Sequence, residues 1–209
     1  MHPNPVFHTQ DETTNLSFAR ERAFGVLAVG GPEGPLLSHV PFLLDEDGHT
    51  LWLHLLRSNP ITRALKQPLP ARIAVSGPDS YVSPDWYGVA DQVPTWNYVA
   101  VHLTGQIEMR PADELHAVLD RQSKIFEDRL RPKTPWTTSK MSDGVMERMM
   151  RAIAPFRMQV TGVEGTWKLN QNKPDAVRQQ AADHVEAYGQ GTDLTLLAAL
   201  MRAADGQDA

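Results

Sequence analysis

The chain has 209 residues, a formal charge of −5 and no cysteine. That length suits one large domain, or a domain with an appended lobe, and buries a core without disulfide or metal staples. The missing cysteine excludes disulfides, thiolate nucleophiles and cysteine-ligated metal or iron–sulfur centres, and the negative charge argues against a dedicated nucleic-acid surface.

The opening "MHPNPVFHTQDETT" has neither a positive start nor an apolar run, so no secretory leader is expected. No stretch reaches 18 uninterrupted apolar residues, so no membrane span is expected, and a cytoplasmic protein is the expectation. "DETTNLSFARERA" (residues 11–23) predicts a short helix capped by Asp11 or Thr13. "FGVLAVG", the turn "GPEG" and "LLSHVPFLL" are short apolar runs broken by Gly and Pro, which reads as a hairpin. "DEDG" (residues 45–48) turns the chain into a third strand, "TLWLHLL". In "RSNPITRALKQ", Asn59 before Pro60 suits a helix start, because the amide side chain caps and the proline's missing N–H lies where none is needed. "ARIAVSG" and "SYVS" predict two strands on either side of Gly77-Pro78.

Residues 95–109, rich in Val, Ile, Thr and aromatics, form the longest strand-like stretch. After Pro111, Leu115, Val118, Leu119, Gln122 and Ile125/Phe126 recur at helical spacing, which predicts a long amphipathic helix. "DGVMERMMRAIA" reads as a second helix and "FRMQVTGVEGTWKL" as a strand. The tail reads as two helices split by Gly189-Gln190-Gly191. About six strands, mostly early, with helices concentrated late, argue an α+β fold with an antiparallel sheet or barrel. The expected organisation is a domain over residues 1–173, with inserted helices at 111–153, and a helical tail over 174–209. From Pro174 onward six residues are acidic and two basic, a poor pair of DNA-reading helices. "RLRPKTPWTTSK" (residues 129–140) has four basic residues and no acidic one, and reads as a solvated loop or, alternatively, a polyanion contact.

Several chemistries lack their motifs. There is no GxGxxG after a strand, no Walker loop and no GxSxG elbow. "GGPEG" joins two strands and so reads as a hairpin turn. None of the eight histidines has a compact metal-ligand spacing, and no metal site is expected. His39 and His54 lie on adjacent predicted strands and read as pocket or core histidines, with an axial haem ligand as the alternative. No general base is evident, so no catalytic residue is assigned.

Four segments stand out. In "LLSHVPF" a proline interrupts a strand, marking an edge or bulge where backbone can face a ligand. In "LHLLRSNP" a strand end delivers His54, Arg57, Ser58 and Asn59 to a helix start, a donor set suited to phosphate. The stretch "SPDWYGVADQVPTWNYVAVH" gathers Trp86, Tyr87, Trp96 and Tyr98, either as packed core or as the wall of a flat ligand. "WKLNQNK" sets Lys168, Gln171, Asn172 and Lys173 at one strand end, more long polar side chains than a core strand uses.

"SYVSPDWY", "VPTWNYVAVH" and "WKLNQNK", in this order and with the two upstream segments, resemble the PaiB-type family of FMN-binding negative transcriptional regulators over roughly residues 1–175. The resemblance implies a split β-barrel of the pyridoxamine-phosphate-oxidase type and a homodimer with FMN at the subunit interface. On that basis Ser38, His39 and Val40 would run along the isoalloxazine ring. His54, Arg57, Ser58 and Asn59 would hold the phosphate, Trp96 would come from the neighbouring subunit, and Lys168 with Gln171 would close the ring or ribityl side. Asn170 departs from the family pattern, where serine is expected. The implied function is negative transcriptional regulation, with an FMN-dependent oxidoreductase using a nicotinamide cofactor or small molecule as the alternative, and a carrier without activity as the third reading. "SPDWY", Tyr81 and Tyr98 are expected to pack as structure.

Overall fold

A computed structural model describes residues 1–204. In chain order the elements are α1 (Glu12–Arg22), β1 (Phe24–Val29), β2 (Leu36–Pro41), β3 (Leu43–Leu44), β4 (Thr50–Leu56), α2 (Pro60–Ala64), β5 (Leu69–Val82), β6 (Thr95–Met109), α3 (Leu115–Asp128), α4 (Val145–Met150), β7 (Ile153–Lys168), α5 (Asp175–Tyr188), β8 (Gln190–Thr192) and α6 (Leu194–Ala203). The fold is α+β, a split β-barrel with antiparallel pairing, flanking helices and helices at the C-terminal side. Among the described residues, no helix is long and apolar enough to cross a membrane. The chain divides into two compact units. One comprises Met1–Phe18, Val75–His102 and the chain from Glu164 onward; the other comprises Ala19–Ala74 and Leu103–Val163. Residues 205–209 of the expected tail lie outside the described residues.

In the second unit the strand order is β2-β1-β5-β6-β7-β4-β3. The expected hairpin is present, with β1 antiparallel to β2 from Phe24↔Pro41 to Val29↔Leu36. β4 alternates strictly. Leu51, Leu53 and Leu55 are buried, and Thr50, Trp52 and His54 are half-buried on the other face, as the period of two dictates. The core includes Leu27, Phe42, Leu51, Leu53, Ile73 and Phe156, all fully buried, each contributing about 2 kcal/mol by its burial. Paired residues on β1 and β2 share a face, and the pairs Phe24/Pro41, Val26/His39 and Ala28/Leu37 present an open apolar surface; Phe24 is 53% and Leu37 62% exposed. The helix expected after Asn59 is only five residues long, because Pro68 and Pro70 follow it closely and the chain turns extended.

In the first unit, Val82, Tyr87, Val99, Trp167 and Leu169 pack against Ala181, Val185, Leu197 and Met201 of α5 and α6. Arg178 is 2% exposed; its Nε donates to the Met201 carbonyl (2.8 Å) and it pairs with Asp175 (2.7 Å). One expectation is corrected here. Gly77-Pro78 does not divide two strands, for β5 runs through it. A Cβ at Gly77 would meet Phe18 Cζ at 2.6 Å and Val99 Cβ at 2.9 Å, so the glycine is kept for close approach rather than for a turn, and proline costs the strand one donor without altering its extended course. Gly189-Gln190-Gly191 splits the two tail helices as expected. Beyond that, Gln190–Thr192 form β8, pairing Gly191 with Ser80 and Thr192 with Asp79 of β5, and a Cβ at Gly191 would meet Asp79 O at 2.1 Å.

Candidate functional site

Seven of the ten expected site residues lie in the second unit and three in the first. In the second unit, Ser38 and Val40 share one face of β2 and His39 the other: Val40 is buried, Ser38 half-buried and His39 exposed. His39 stacks on Phe24, with ring centroids 6.4 Å apart and planes 27° from parallel. The Asn59 amide joins two expected segments. Its Nδ2 donates to Ser38 Oγ (3.2 Å), while its Oδ1 accepts the Ile61 N–H (2.9 Å) and so caps α2. Arg57 and Ser58 are exposed beside it. The Arg57 N–H donates to Ala152 O (2.9 Å) and its Nε to Arg151 O (3.0 Å), which fixes the stem and leaves both terminal nitrogens open among the described residues. His54 is half-buried on β4. Burial holds its imidazole below the ordinary value, opposed by the Gln122 side chain of α3. His54 Nδ1 and Gln122 Nε2 are buried without a hydrogen-bond partner.

In the first unit, Lys168 ends β7, half-buried. Its ammonium donates to Thr95 Oγ1 and lies 5.8 Å from the Phe7 ring centroid. Burial lowers its pKa, and no carboxylate pairs with it among the described residues. A cation held this way suits an anionic or electron-rich ligand. The Gln171 amide is engaged locally: Nε2 donates to Trp167 O (2.6 Å) and Oε1 accepts the Leu169 N–H (2.8 Å), which shapes the loop that follows Lys168. Trp96 is 50% exposed and meets Tyr81 edge-on at 6.4 Å.

The aromatic cluster thus divides. Tyr87 is buried core, and burial pushes its phenol up. Trp86 stacks on His184 at 5.8 Å, Tyr81 and Tyr98 are half-buried, and Trp96 alone of the cluster is largely open. Tyr87 also ties two motifs together, donating to Asn170 Oδ1 (3.3 Å) and lying 5.1 Å under the Lys173 ammonium. Asn170 has φ +63°, in the left-handed region that asparagine tolerates better than serine.

The donors at Arg57, Ser58 and Asn59, with no acidic residue between positions 57 and 68, fit a phosphate; the unneutralised Lys168 fits the electron-accepting side of a flavin ring. Sequence reasoning missed Thr95 and Phe7, which hold Lys168, and Asn15, whose Oδ1 accepts from Trp167 Nε1 (2.8 Å). Thr95 adjoins Trp96 and was within reach; Phe7 and Asn15 are distant in sequence and carry no local signal. Clefts in the second unit include one of about 560 Å³ beside Phe42 and Arg121 and one of about 460 Å³ beside Trp136, and no expected site residue lines either.

Solved structures share the fold. A Mycobacterium smegmatis protein described as binding FAD and haem superposes with a TM-score of 0.54 at 17% identity, over 88% of this chain and 80% of that one. A conserved hypothetical protein of Mycobacterium tuberculosis gives 0.53 at 17% identity, over 78% and 88%. The chain belongs to the family described as "Putative FMN-binding domain", which matches residues 1–162. Among its relatives, the Bacillus subtilis "Protease synthase and sporulation protein PAI 2" is 29% identical over 159 residues, 75% of each chain. An uncharacterised Aspergillus fumigatus protein is 26% identical across 91% of this chain and 93% of that one.

Proposed function

We propose that the chain binds FMN as a homodimer and acts as a negative regulator of transcription. Arg57, Ser58 and Asn59 take the phosphate, the β2 segment at Ser38, His39 and Val40 runs along the ring, and Lys168 and Trp96 serve as ring contacts. The observation that carries the reading is the Asn59–Ser38 hydrogen bond, which links the segment assigned to the phosphate with the segment assigned to the ring. The open apolar face of β1 and β2, with Phe24 and Leu37, supports association with a second copy. The family description supports the cofactor, and the name of the Bacillus subtilis relative, which refers to protease synthesis and sporulation, supports a regulatory role.

Purification without added cofactor followed by visible absorption tests the flavin, with mass spectrometry of the acid-released chromophore. A flavin spectrum with FMN mass is expected, and Arg57→Ala and Lys168→Ala should each weaken FMN binding. A Soret band in its place, or a colourless protein that refuses added FMN, overturns the assignment. Transcript levels after deletion of the gene test the regulatory half: some transcripts should rise, and none rising refutes repression.

Lys168 favours a second reading, a flavin oxidoreductase, because a cation without a carboxylate partner beside the ring stabilises reduced flavin. Bound FMN would supply the hydride and electron chemistry; the chain would supply the charge. Anaerobic NADH or NADPH should then bleach the flavin, and failure of both removes this reading.

A further inference from the structure

Most cations of this chain are engaged by neighbouring groups, and the basic loop at residues 129–140 is a case in point. Arg131 pairs with Asp128 (3.0 Å) and Lys133 with Glu127. Arg129 donates to the carbonyls of Glu21 (2.7 Å) and Arg20 (3.1 Å), and Lys140 to that of Pro135 (3.2 Å). Its cations are exposed but already engaged by nearby acceptors.

Five other cations differ. Arg57, Arg63, Lys66, Arg148 and Arg151 are all exposed, and among the described residues none has a carboxylate partner. The only side-chain bond in the group runs from Arg57 Nε to the Arg151 carbonyl. The fold draws these residues to one end of the second unit's sheet. Leu56↔Ile153 is the last pair of the β4–β7 ladder, so the chain leaving β4 through Arg57 and α2 starts beside the point where α4 and Arg151 arrive. The Arg57 N–H to Ala152 O bond (2.9 Å) closes that junction. Residues 57–68 contain no Asp or Glu, and residues 145–152 contain only Glu147. Together the two segments carry five cations and one carboxylate, on a chain whose net charge is −5.

We infer that this face docks the phosphate backbone of duplex DNA, an inference that takes its biological sense from the regulatory reading and its physical basis from the charge. One FMN phosphate, with about two negative charges, occupies Arg57 and its immediate neighbours and leaves Arg63, Lys66, Arg148 and Arg151 over. These four are exposed on two elements and line neither cleft described above, which suits an extended polyanion rather than an enclosed nucleotide. No aromatic side chain occurs in residues 57–68 or 145–152, so unpaired bases would find no stacking platform, and a duplex is favoured over a single strand. Leu56 and Met149, 55% and 60% exposed, stand among the cations. Apolar side chains so placed are of the type that wedges a base step, and two of them bury too little to hold the face in a bilayer interface.

The test is fluorescence anisotropy of a labelled mixed-sequence DNA duplex across a series of KCl concentrations, which needs no bound flavin. With four phosphate contacts, log affinity should fall against log salt with a slope of about −4. Arg63→Gln with Lys66→Gln should reduce the slope by about 2 and weaken binding about tenfold or more at low salt. Lys133→Gln with Lys140→Gln removes the same charge from the engaged loop and should change neither. Equal losses in both double variants, no loss in the first, or preferential binding to phosphatidylserine vesicles over the duplex overturns the inference. FMN titration of the Arg63/Lys66 variant separates the two proposals: retained FMN binding with lost DNA binding supports a distinct surface, whereas a wild-type chain that binds the duplex but not FMN refutes the flavin reading alone.

Discussion

Replacing Asn170 by serine, the residue expected from the family pattern, should destabilise the protein by about 1–2 kcal/mol. Three effects set the figure. Asn170 sits at φ +63°, where a residue less suited to the left-handed region adds about 1 kcal/mol of strain. Its Oδ1 accepts the buried Tyr87 hydroxyl at 3.3 Å, and a serine hydroxyl ends one atom short of that position, so the phenol loses its acceptor at a cost of about 1–1.5 kcal/mol. Against this, Asn170 Nδ2 is buried without a partner, and its removal returns up to about 1 kcal/mol. For a chain of this length the net change lowers the Tm by roughly 3–6 °C, measurable by thermal unfolding and by urea titration. Asn170→Gly should fall between the two proteins, since it relieves the backbone and still loses the bond. A cycle with Tyr87→Phe should give a coupling of about 1 kcal/mol. Serine at wild-type stability, or strict additivity with Tyr87→Phe, would refute the reasoning.

Gly77→Ala should cost about 1–3 kcal/mol in urea unfolding, since its Cβ would stand 2.6 Å from Phe18 Cζ; a variant as stable as wild type shows that the approach is not tight. Burial holds the His54 imidazole below 6.5, so the unfolded chain binds the proton more readily. Stability should therefore be complete above about pH 6.5 and fall on acidification from there toward the folded-state value, and His54→Gln should flatten that limb of a pH-dependent unfolding series; an unchanged limb assigns the acid sensitivity elsewhere. Leu37→Arg, on the open face of β1 and β2, should shift the protein to monomer in sedimentation velocity without unfolding it, and a persistent dimer places the interface elsewhere.

Local patterning carried most elements. The strand at Thr95–Met109 was legible to the residue, because β-branched and aromatic side chains outweigh its one glycine, Gly105, and Pro111 closes it. The Asn59 cap was legible from the Asn-Pro pair alone. Gly77-Pro78 misled because a glycine that ends an element and a glycine that lets another chain segment approach look identical in sequence. The phosphate-type donors were readable from residue type and spacing. The setting of Lys168 was not, since Phe7 reaches it across most of the chain. The charge of residues 129–140 was equally opaque, because Glu127 and Asp128, just outside the segment, pair with Lys133 and Arg131.

The chain passes from one compact unit to the other after Phe18, Ala74, His102 and Val163, three of those passages lying inside β5, β6 and β7. Neither unit is therefore a severable piece of polypeptide. A truncation at residue 162, where the family match ends, would cut β7 and strip Trp167, Leu169, α5 and α6 from a core that needs them. Fusion partners, tags and library boundaries belong in surface loops such as Gly30–Gly34, and any shortened version of this protein has to be judged by whether all four passages survive.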